Sequence, residues 1–521
     1  MLFLTELNAQ NFNVTNERTF SNLFNKHIDT LKNFHTSIKP FAKNEIADFD
    51  TIINSYNTST NSGFLNKLTN ENLIQSKGKK FKLIIDPIVN AGLTVEKNST
   101  TSQTVNETAF GLNIQSSFGK KWSGQFAMLT DHSKYPSHID ALVQNKNISP
   151  GYDYSKNDQA FFGQANITFT ADENFTFQLG YGKNFIGDGY RSLFLSDNAN
   201  SYPYLKVTAN IWRLKYMALY TNYQDIRNSD GNMKDYFQKL STIHYLSINA
   251  TKWWNIGLFE SIIWQSQEEE FYRGYDINYF NPVIFLRPTE YAQGSSDNAL
   301  LGGSMKFKIR KKNILYSQLI LDEFKLDEIK AGTGWWANKY GYQFGLKSYD
   351  FMWIKNLTLQ LEYNMVRPFT YTHSDFSTSP TQIHTLQSYT HFNSPLAHPL
   401  GANFNEAMAS LTYQKKRWLI EAITTIAKIG LEINDTASIG QDLYIPNNNR
   451  ANEYGNYTTQ GLTTDIINST LKVSYIINPK SQLLFQVGVT NRMYKNSVEN
   501  TSTNMVFVGI KTAITNRYFD F

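Results

Sequence analysis

The segment LTLQLEYNM, residues 357–365, alternates strictly between apolar and polar side chains. Its odd-numbered positions are all apolar, and its even-numbered positions, which include Glu362, are all polar. Because successive side chains of a β-strand point to opposite faces of the sheet, the segment predicts a strand with one apolar and one polar face. Strands of soluble sandwiches also alternate but are usually shorter.

The same period of two recurs along most of the chain after Lys80. It is clear at residues 175–182, 305–310 and 506–515. The polar faces of these segments include full charges at Lys306, Lys308, Arg310 and Lys511. A soluble β-protein is the alternative, but repeated runs of about ten residues favour a sheet that spans a membrane, with one face in lipid.

Composition supports a membrane barrel over a helical membrane protein. Aromatic residues make up 15% of the 521 residues, mean hydropathy is −0.42, and no run of about 18 apolar residues occurs. Helical spans are therefore excluded. The chain has no Cys, which removes thiol chemistry, and its net charge of +5 offers no basic tract for nucleic acid.

The links between the predicted strands alternate in length, as they do in outer-membrane barrels. Short links are predicted at residues 119–121, 171–174, 212–213, 251–254, 310–313, 350–355, 414–417 and 478–481. Longer polar links are predicted at residues 131–158, 184–203, 226–236, 266–297, 327–339, 368–400, 430–463 and 495–503. The prediction is an all-β fold: a transmembrane antiparallel barrel of about 18 strands over residues 81–521.

The N-terminal region follows a different pattern. Residues 1–9 resemble the remnant of a signal peptide. Apolar residues spaced by three and four predict a helix from Phe20 to Ile38, with a second at 42–53 and a polar connector to Lys80. Residues 10–80 are therefore expected to form a small helical domain that plugs or caps the periplasmic end, with the long loops outside. The closing NRYFDF, residues 516–521, is expected to complete the last strand.

Three stretches resemble a known family. They are FIGDGYRSLFLSDNA (residues 185–199, continuing to Tyr204), YFNPVIFLRPTEYAQGSSDNALLG (279–302) and, more weakly, NRYFDF. They are similar to the capsule-assembly Wzi family of outer-membrane proteins, particularly its RemB-like gliding-motility members from Bacteroidota. The resemblance implies an eighteen-stranded barrel closed by N-terminal helices, which binds capsular polysaccharide or supports gliding. Gly182-Lys183-Asn184 departs from the Gly-Arg-Gln of the Wzi pattern.

Candidate carbohydrate-binding residues lie in two predicted loops. Carboxylate, guanidinium and amide groups can bond sugar hydroxyls, and aromatic rings can stack on sugar faces. The candidates are Asp188, Tyr190, Arg191, Asp197, Asn198, Trp335 and Trp336. The alternatives are that the first loop uses its polar groups for internal contacts on entering the barrel, and that the Trp pair is an interfacial anchor.

A second set of residues predicts a charge network in the lumen or the loops. The set consists of Arg287, Glu290, Lys306, Lys308, Arg310, Glu362 and Lys511. In a plugged barrel these charges should pair with each other or with the helices, whereas in a pore they would line water.

No catalytic or cofactor motif is present in a suitable context. His373, His384, His391 and His398 share one loop but match no metal-ligand spacing, so they are expected to be scattered surface residues. The sequence therefore predicts a non-enzymatic outer-membrane protein without cofactor or metal. Its expected partners are membrane lipid, surface polysaccharide and gliding or envelope proteins, and not nucleic acid. The alternative is a solute-conducting porin or transport channel.

Overall fold

A computed structural model describes residues 11–58, 63–78, 80–146, 153–155, 159–227, 229, 232–267, 272–284, 297–374, 385–434 and 437–521. Eighteen long strands form a closed antiparallel barrel. In chain order they are Phe81–Lys97 (β1), Ser102–Phe118 (β2), Trp122–Asp131 (β3), Gln159–Thr170 (β4), Phe175–Gly182 (β5), Tyr202–Ile211 (β6), Leu214–Asp225 (β7), Phe237–Asn249 (β8), Trp254–Gln265 (β9), Asn298–Ile309 (β10), Asn313–Glu323 (β11), Lys339–Tyr349 (β12), Leu357–Val366 (β13), Phe404–Lys415 (β14), Trp418–Leu431 (β15), Leu462–Asn478 (β16), Leu483–Lys495 (β17) and Asn500–Thr512 (β18).

The barrel closes where the last strand meets the first. Strand β18 pairs with β1 from Asn504 opposite Lys97 to Lys511 opposite Asn90. Short strands at Ile74–Lys77 and Asp153–Ser155 add to β1 and β4. The predicted fold class, an antiparallel barrel of about 18 strands, is confirmed.

The two ends of the barrel differ in the length of their links. At the turn end, eight links of two to seven residues join the strands, and at the loop end most links are longer. The predicted long link at 495–503 is wrong, because β17 and β18 leave only residues 496–499 between them. There the Asn496 side chain accepts from the backbone N–H groups of Val498 and Glu499, which makes a tight hairpin.

The outer surface is apolar and carries exposed tryptophans at the turn end. Val487 and Val489 project outward from β17 and are 40% and 47% exposed. Trp212 and Trp353, in turn-end links, are 83% and 96% exposed. Tryptophan at this level is typical of the boundary between lipid and water. Within the described residues, no helix is long and apolar enough to cross a membrane.

The helices are short. They are Arg18–Thr30 (α1), Phe49–Asn54 (α2), Phe64–Asn70 (α3), Ser137–Lys146 (α4) and Leu326–Ala331 (α5). Helix α1 begins where the Glu17 side chain accepts from the backbone N–H of Phe20. The prediction of a helix to Ile38 is wrong beyond Thr30, because Leu31 is extended and Asn33 has a φ of 60°. The predicted second helix is a single turn at Lys43–Glu45 followed by α2.

The N-terminal segment, residues 11–58, lies inside the barrel towards the turn end, and we call it the plug. Its side chains bond inward-facing residues of distant strands: Glu45 pairs with Lys215 at 2.6 Å, and His35 Nδ1 lies 2.8 Å from Ser247 Oγ. Phe24 of α1 belongs to an apolar cluster with wall residues such as Leu419, Ile476 and Leu484. Contacts on opposite walls show that the plug occupies the lumen.

The C-terminal segment is not part of the last strand, so the prediction that NRYFDF completes it is wrong. Strand β18 ends at Thr512, and residues 513–521, which we call the tail, turn into the lumen. Arg517 reaches Asp131 at 3.3 Å, and Arg492 donates to the backbone oxygen of Phe521 at 3.2 Å. The charged tail finds partners in the lumen that the lipid-facing surface does not offer.

Candidate functional site

The link between β5 and β6, residues 183–201, folds into the lumen, and we call it the inward loop. Its residue Ile186 pairs with Ile38 of the plug in a two-residue antiparallel ladder. The backbone N–H groups of Tyr190 and Arg191 donate to the Glu362 carboxylate at 2.6 and 2.9 Å. The backbone at Gly189 comes so close to Glu362 that a Cβ there would collide with it. The wall therefore fixes the tip of the loop.

Asp188 joins the inward loop to the plug and the wall. Its carboxylate accepts hydrogen bonds from the hydroxyls of Thr36 and of Ser37, the latter at 2.6 Å. Lys306 Nζ lies 3.5 Å from the same carboxylate. Burial raises the pKa of Asp188, but the charges of Lys306 and Lys347 and the two hydroxyl donors hold it well below its usual range. Asp188 is therefore a buried anion with several partners.

Arg191 forms the centre of a second charge cluster. Its guanidinium lies 2.9 Å from Glu406 of β14 and 3.1 Å from Asp520 of the tail, and its side chain and that of Glu406 are 0% exposed. His398 Nε2 lies 2.8 Å from Glu406, and Leu400 N–H donates to Nδ1. Burial lowers the pKa of His398 despite the nearby carboxylate. The neutral ring therefore carries its hydrogen on Nε2 and donates it to Glu406.

The tail completes this cluster from the other side. Asp197 of the inward loop accepts from Tyr518 at 2.5 Å and from Asn516 at 2.8 Å. Tyr190 donates to Asp520 at 2.7 Å. The guanidinium of Arg18, from the plug, lies 3.4 Å from the ring centre of Tyr190. Plug, inward loop and tail thus meet and interlock in the middle of the lumen.

A different group of residues lies at the loop end, where two links pair. Backbone bonds join residues 333–336 to residues 453–456, including Trp336 N–H to Glu453 at 2.9 Å. This pairing brings together an aromatic ridge, which consists of Trp335, Trp336, Tyr454 and Tyr457. Tyr454 and Tyr457 are 52% and 58% exposed. Arg450 lies over the Trp336 ring at 4.3 Å.

The aromatic ridge has aromatic surface open to solvent, whereas the interlocked residues of the lumen do not. Trp335 and Trp336 are half-buried between links of the loop end. Trp336 packs edge-on against Phe369. The anchor interpretation of this pair stays untested, but the ring of Trp336 contacts neighbouring links of the same protein.

Comparison with known proteins gives the fold a context. No family model matches the chain, and no curated relative is similar to it. A solved structure of Wzi, described as a carbohydrate-binding barrel involved in group 1 capsule assembly in Escherichia coli, covers 97% of this chain and 100% of its own, with 12% identity and a TM-score of 0.56. OprD of Pseudomonas aeruginosa covers 81% of this chain and 93% of its own, with 11% identity and a TM-score of 0.40.

The chain is an outer-membrane β-barrel. The similarity to Wzi establishes the fold alone at this identity. What Wzi binds is a property of that protein.

Four of the seven residues predicted for a charge network contact the segments that fill the lumen. Lys306 and Glu362 contact the inward loop, while Lys308 donates to Leu31 of the plug at 2.6 Å and Lys511 lies 3.8 Å from Glu17. These contacts are those expected of a plugged barrel. The prediction is wrong for Arg310, because β10 ends at Ile309 and Arg310 is exposed in the turn. Arg287 and Glu290 lie outside the described residues, as do His384 and residues 1–10.

The carbohydrate-binding role predicted for the inward loop stays a prediction. Asp188, Arg191 and Asp197 are 7%, 1% and 4% exposed, and the protein itself supplies their partners. Tyr190 is held by the plug and the tail. Asn198 is half-buried and donates to the carbonyl of Pro395 at 3.4 Å.

Sequence reasoning missed several residues of these clusters. The sequence pattern places Glu406 in a strand and Tyr518 and Asp520 at the end of the last strand. It places Tyr454 and Tyr457 in the predicted link 430–463 and gives them no role. The expectation of surface histidines is wrong for His391 and His398, which are 1% and 0% exposed. The groups of three or more acidic or His side chains that could hold a metal ion are absent from the described part of the chain.

Proposed function

We propose that this protein is a plugged outer-membrane barrel that binds surface polysaccharide through its aromatic ridge and acts by binding rather than by catalysis. The observation that carries the proposal is the meeting of plug, inward loop and tail around Arg191. A buried cation with two carboxylate partners from distant parts of the chain holds the three segments together. An occupied lumen suits a surface attachment protein better than a free channel.

The ridge supports the choice of ligand. Tyrosine and tryptophan rings stack on the apolar faces of sugars, and their polar atoms can bond hydroxyls. Arg450 and Glu453, paired beside the ridge, supply charged groups at its edge. Exposed aromatic side chains close together on a surface are typical of an interaction site. The structural similarity to Wzi agrees with this choice, but it is not its basis.

The ligand assignment can be tested by retention of envelope polysaccharide from the source cells on purified protein in vesicles. Trp335→Ala combined with Tyr457→Ala is expected to lose most of the retention of the unchanged protein. Trp353→Ala, which removes an exposed Trp at the turn end, is the matched control and should retain polysaccharide fully. Equal retention by the ridge variant and the control would contradict the proposal.

Planar-bilayer conductance tests the alternative of a solute channel. The plugged barrel is expected to give no steady ion current, because plug, inward loop and tail interlock in the middle of the lumen and pair its central charges. A steady current through the unchanged protein would favour the channel instead. The gliding role implied by the RemB-like resemblance remains a prediction that no family model or curated relative supports.

A further inference from the structure

One sector of the outer wall carries polar side chains where lipid-facing residues are expected. On β7 to β9, Lys215, Tyr245 and Phe259 face the lumen, so the alternate positions face outward. Among these outward positions, His244 and Glu260 are paired across β8 and β9. Their side chains are 0% and 1% exposed, and His244 Nδ1 lies 3.6 Å from Glu260.

An ionisable pair at mid-height on the outer wall is costly in contact with lipid. Charged side chains on the lipid face of such a barrel destabilise it, most strongly near the bilayer midplane. Other outward positions, such as Val487 and Val489, are apolar and exposed. Something therefore covers the wall at His244 and Glu260.

Part of the cover is residues 272–284, YRGYDINYFNPVI, which we call the outer strap. The sequence predicts an external loop over residues 266–297, but this part of it lies against the outer wall. Four of its backbone carbonyls accept hydrogen bonds from outward-facing wall side chains. The donors are Trp264 to Gly274 at 3.1 Å, Thr242 to Tyr279 at 2.8 Å, Tyr220 to Phe280 at 3.1 Å and Tyr216 to Pro282 at 2.6 Å.

The strap descends through most of the height of the barrel. Trp264 is next to the last residue of β9 at the loop end, whereas Tyr216 is the third residue of β7, counted from the turn end. Tyr216 and Tyr220 are four residues apart on one strand, which is about 13 Å along it. The strap therefore crosses the depth that hydrocarbon occupies around the rest of the wall.

Irregular backbone at membrane depth needs partners for its polar groups, because lipid tails offer none. The wall supplies them with tyrosine, threonine and tryptophan donors at outward positions of β7 to β9. Within the strap, Asp276 accepts from Asn278 N–H at 2.9 Å and Asn281 from Val283 N–H at 3.1 Å. At the loop end, Arg273 is held by Asp276 and Asp297.

The strap exposes three large apolar side chains between the polar Asn278 and Asn281 and on either side of them. Ile277, Phe280 and Val283 are 84%, 47% and 63% exposed. We propose that the outer strap is embedded in the hydrocarbon of the outer membrane as a second protein layer over β7 to β9, with these three side chains against lipid acyl chains. Acyl chains fit because the strap lies at the depth where hydrocarbon covers the bare wall, and its three exposed side chains there are apolar like those of the wall.

The absence of Cys from the chain allows a test by single-site labelling. Ile277→Cys carries a nitroxide label, and the protein is reconstituted in phosphatidylcholine vesicles. The rate at which the label collides with oxygen, which enters lipid, is compared with the rate at which it collides with a nickel chelate that stays in water. The controls are Leu319→Cys, on the outward face of β11 and 45% exposed, and Met233→Cys, 80% exposed in the loop-end link between β7 and β8.

The expected result is that the label at residue 277 resembles the label at 319, with high oxygen access and several-fold less nickel access than at 233. Nickel access equal to that at 233 would place the strap in water and overturn the proposal. Protection from both reagents would show that protein, either a second copy or another segment of this chain, covers residue 277, which would overturn the choice of acyl chains.

A second pair of variants tests the role of the wall donors. Tyr216→Phe with Tyr220→Phe leaves two strap carbonyls without partners, so nickel access at residue 277 is expected to rise several-fold. Tyr342→Phe, at an outward position of β12 away from the strap, is the matched control. Unchanged access in the double variant would show that these hydroxyls do not hold the strap in place.

Discussion

The two halves of the barrel differ in how their inner walls are used. In the packed half, strands β6 to β13, inward residues such as Tyr223, Ile243 and Phe259 are at most 1% exposed. They pack against Leu193 and Phe194 of the inward loop. In the open half, β14 to β18 with β1 to β5, inward Gln115 and Gln486 are only half-buried.

The open half retains space in the lumen. A cavity of about 330 Å³ is lined by charges of both signs, among them Glu107, Lys472 and Arg517. A second cavity of about 530 Å³ lies between the plug and the wall near the turn end. The alternation of a strand determines which of its faces turns inward. The segments inserted in the lumen determine whether the side chains of that face are packed or border a cavity.

Arg191 is where the two halves are tied together, so its loss should have the largest effect. Arg191→Ala leaves the buried Glu406 and the half-buried Asp520 without their cation, and removal of one partner of a buried pair costs about 3–5 kcal/mol. We expect a correspondingly lower free energy of unfolding, measured by guanidinium titration with tryptophan fluorescence in detergent. Protease should also release the tail more readily. An unchanged midpoint would show that the cluster does not join the halves.

One Phe→Ala substitution in each half compares the free energy lost with a tightly packed ring and with a half-buried ring. Phe194 is 0% exposed and stacks on Phe259 with 4.6 Å between ring centres, so Phe194→Ala should cost about 3–5 kcal/mol. Phe519 of the tail is half-buried and meets Tyr135 edge-on at 6.1 Å. Phe519→Ala should lower the free energy of unfolding by less than half as much. Equal losses would contradict the distinction between the halves.

The sequence predicts the barrel well because strand formation is a local property. Residues 357–365 alternate, and β13 spans Leu357–Val366. The inward position of Glu362 followed from the period of two, but its partners did not. Those partners include backbone groups of Tyr190 and Arg191, which tertiary folding brings from 172 and 171 residues away.

The segments that leave the wall were harder to predict because nothing periodic marks where they go. The aromatic Phe521 at the end of an amphipathic segment favours a last strand that continues to residue 521, although Arg517 and Asp520 introduce charges into the final residues. The outer strap did leave a signal. Thr242, His244 and Glu260 interrupt the outward faces of β8 and β9, and polar residues on such a face indicate cover by protein.

A fall in pH should lower the free energy of unfolding through His35 of the plug and His391 of the packed half. Burial, with nearby lysines, lowers the pKa of His35 to about 3, and burial lowers the pKa of His391 to about 3, both from an ordinary 6.5. The unfolded chain binds these protons near pH 6.5 and the folded chain only near pH 3. Their stabilising contribution is therefore present above pH 6.5 and is lost as the pH falls towards 3.

The measurement is the guanidinium midpoint at pH 7, 5 and 4. The double variant His35→Asn with His391→Asn keeps polar groups at both positions but cannot take up these protons. Its midpoint is expected to fall less between pH 7 and pH 4 than that of the unchanged protein. An identical fall in both would assign the effect to carboxylates instead.

The smallest effect is expected where an ion pair is open to solvent. Lys428 and Asp465 lie 3.5 Å apart across β15 and β16 near the loop end, and their side chains are 51% and 54% exposed. Solvent screens such a pair and ordering both side chains opposes it, so Lys428→Ala should cost less than about 1 kcal/mol. The same guanidinium titration used for Arg191→Ala measures it. A loss as large as that of Arg191→Ala would mean that burial does not set the strength of these ion pairs. The contrast between the buried pairs of the lumen and the exposed pair near the loop end would then be wrong.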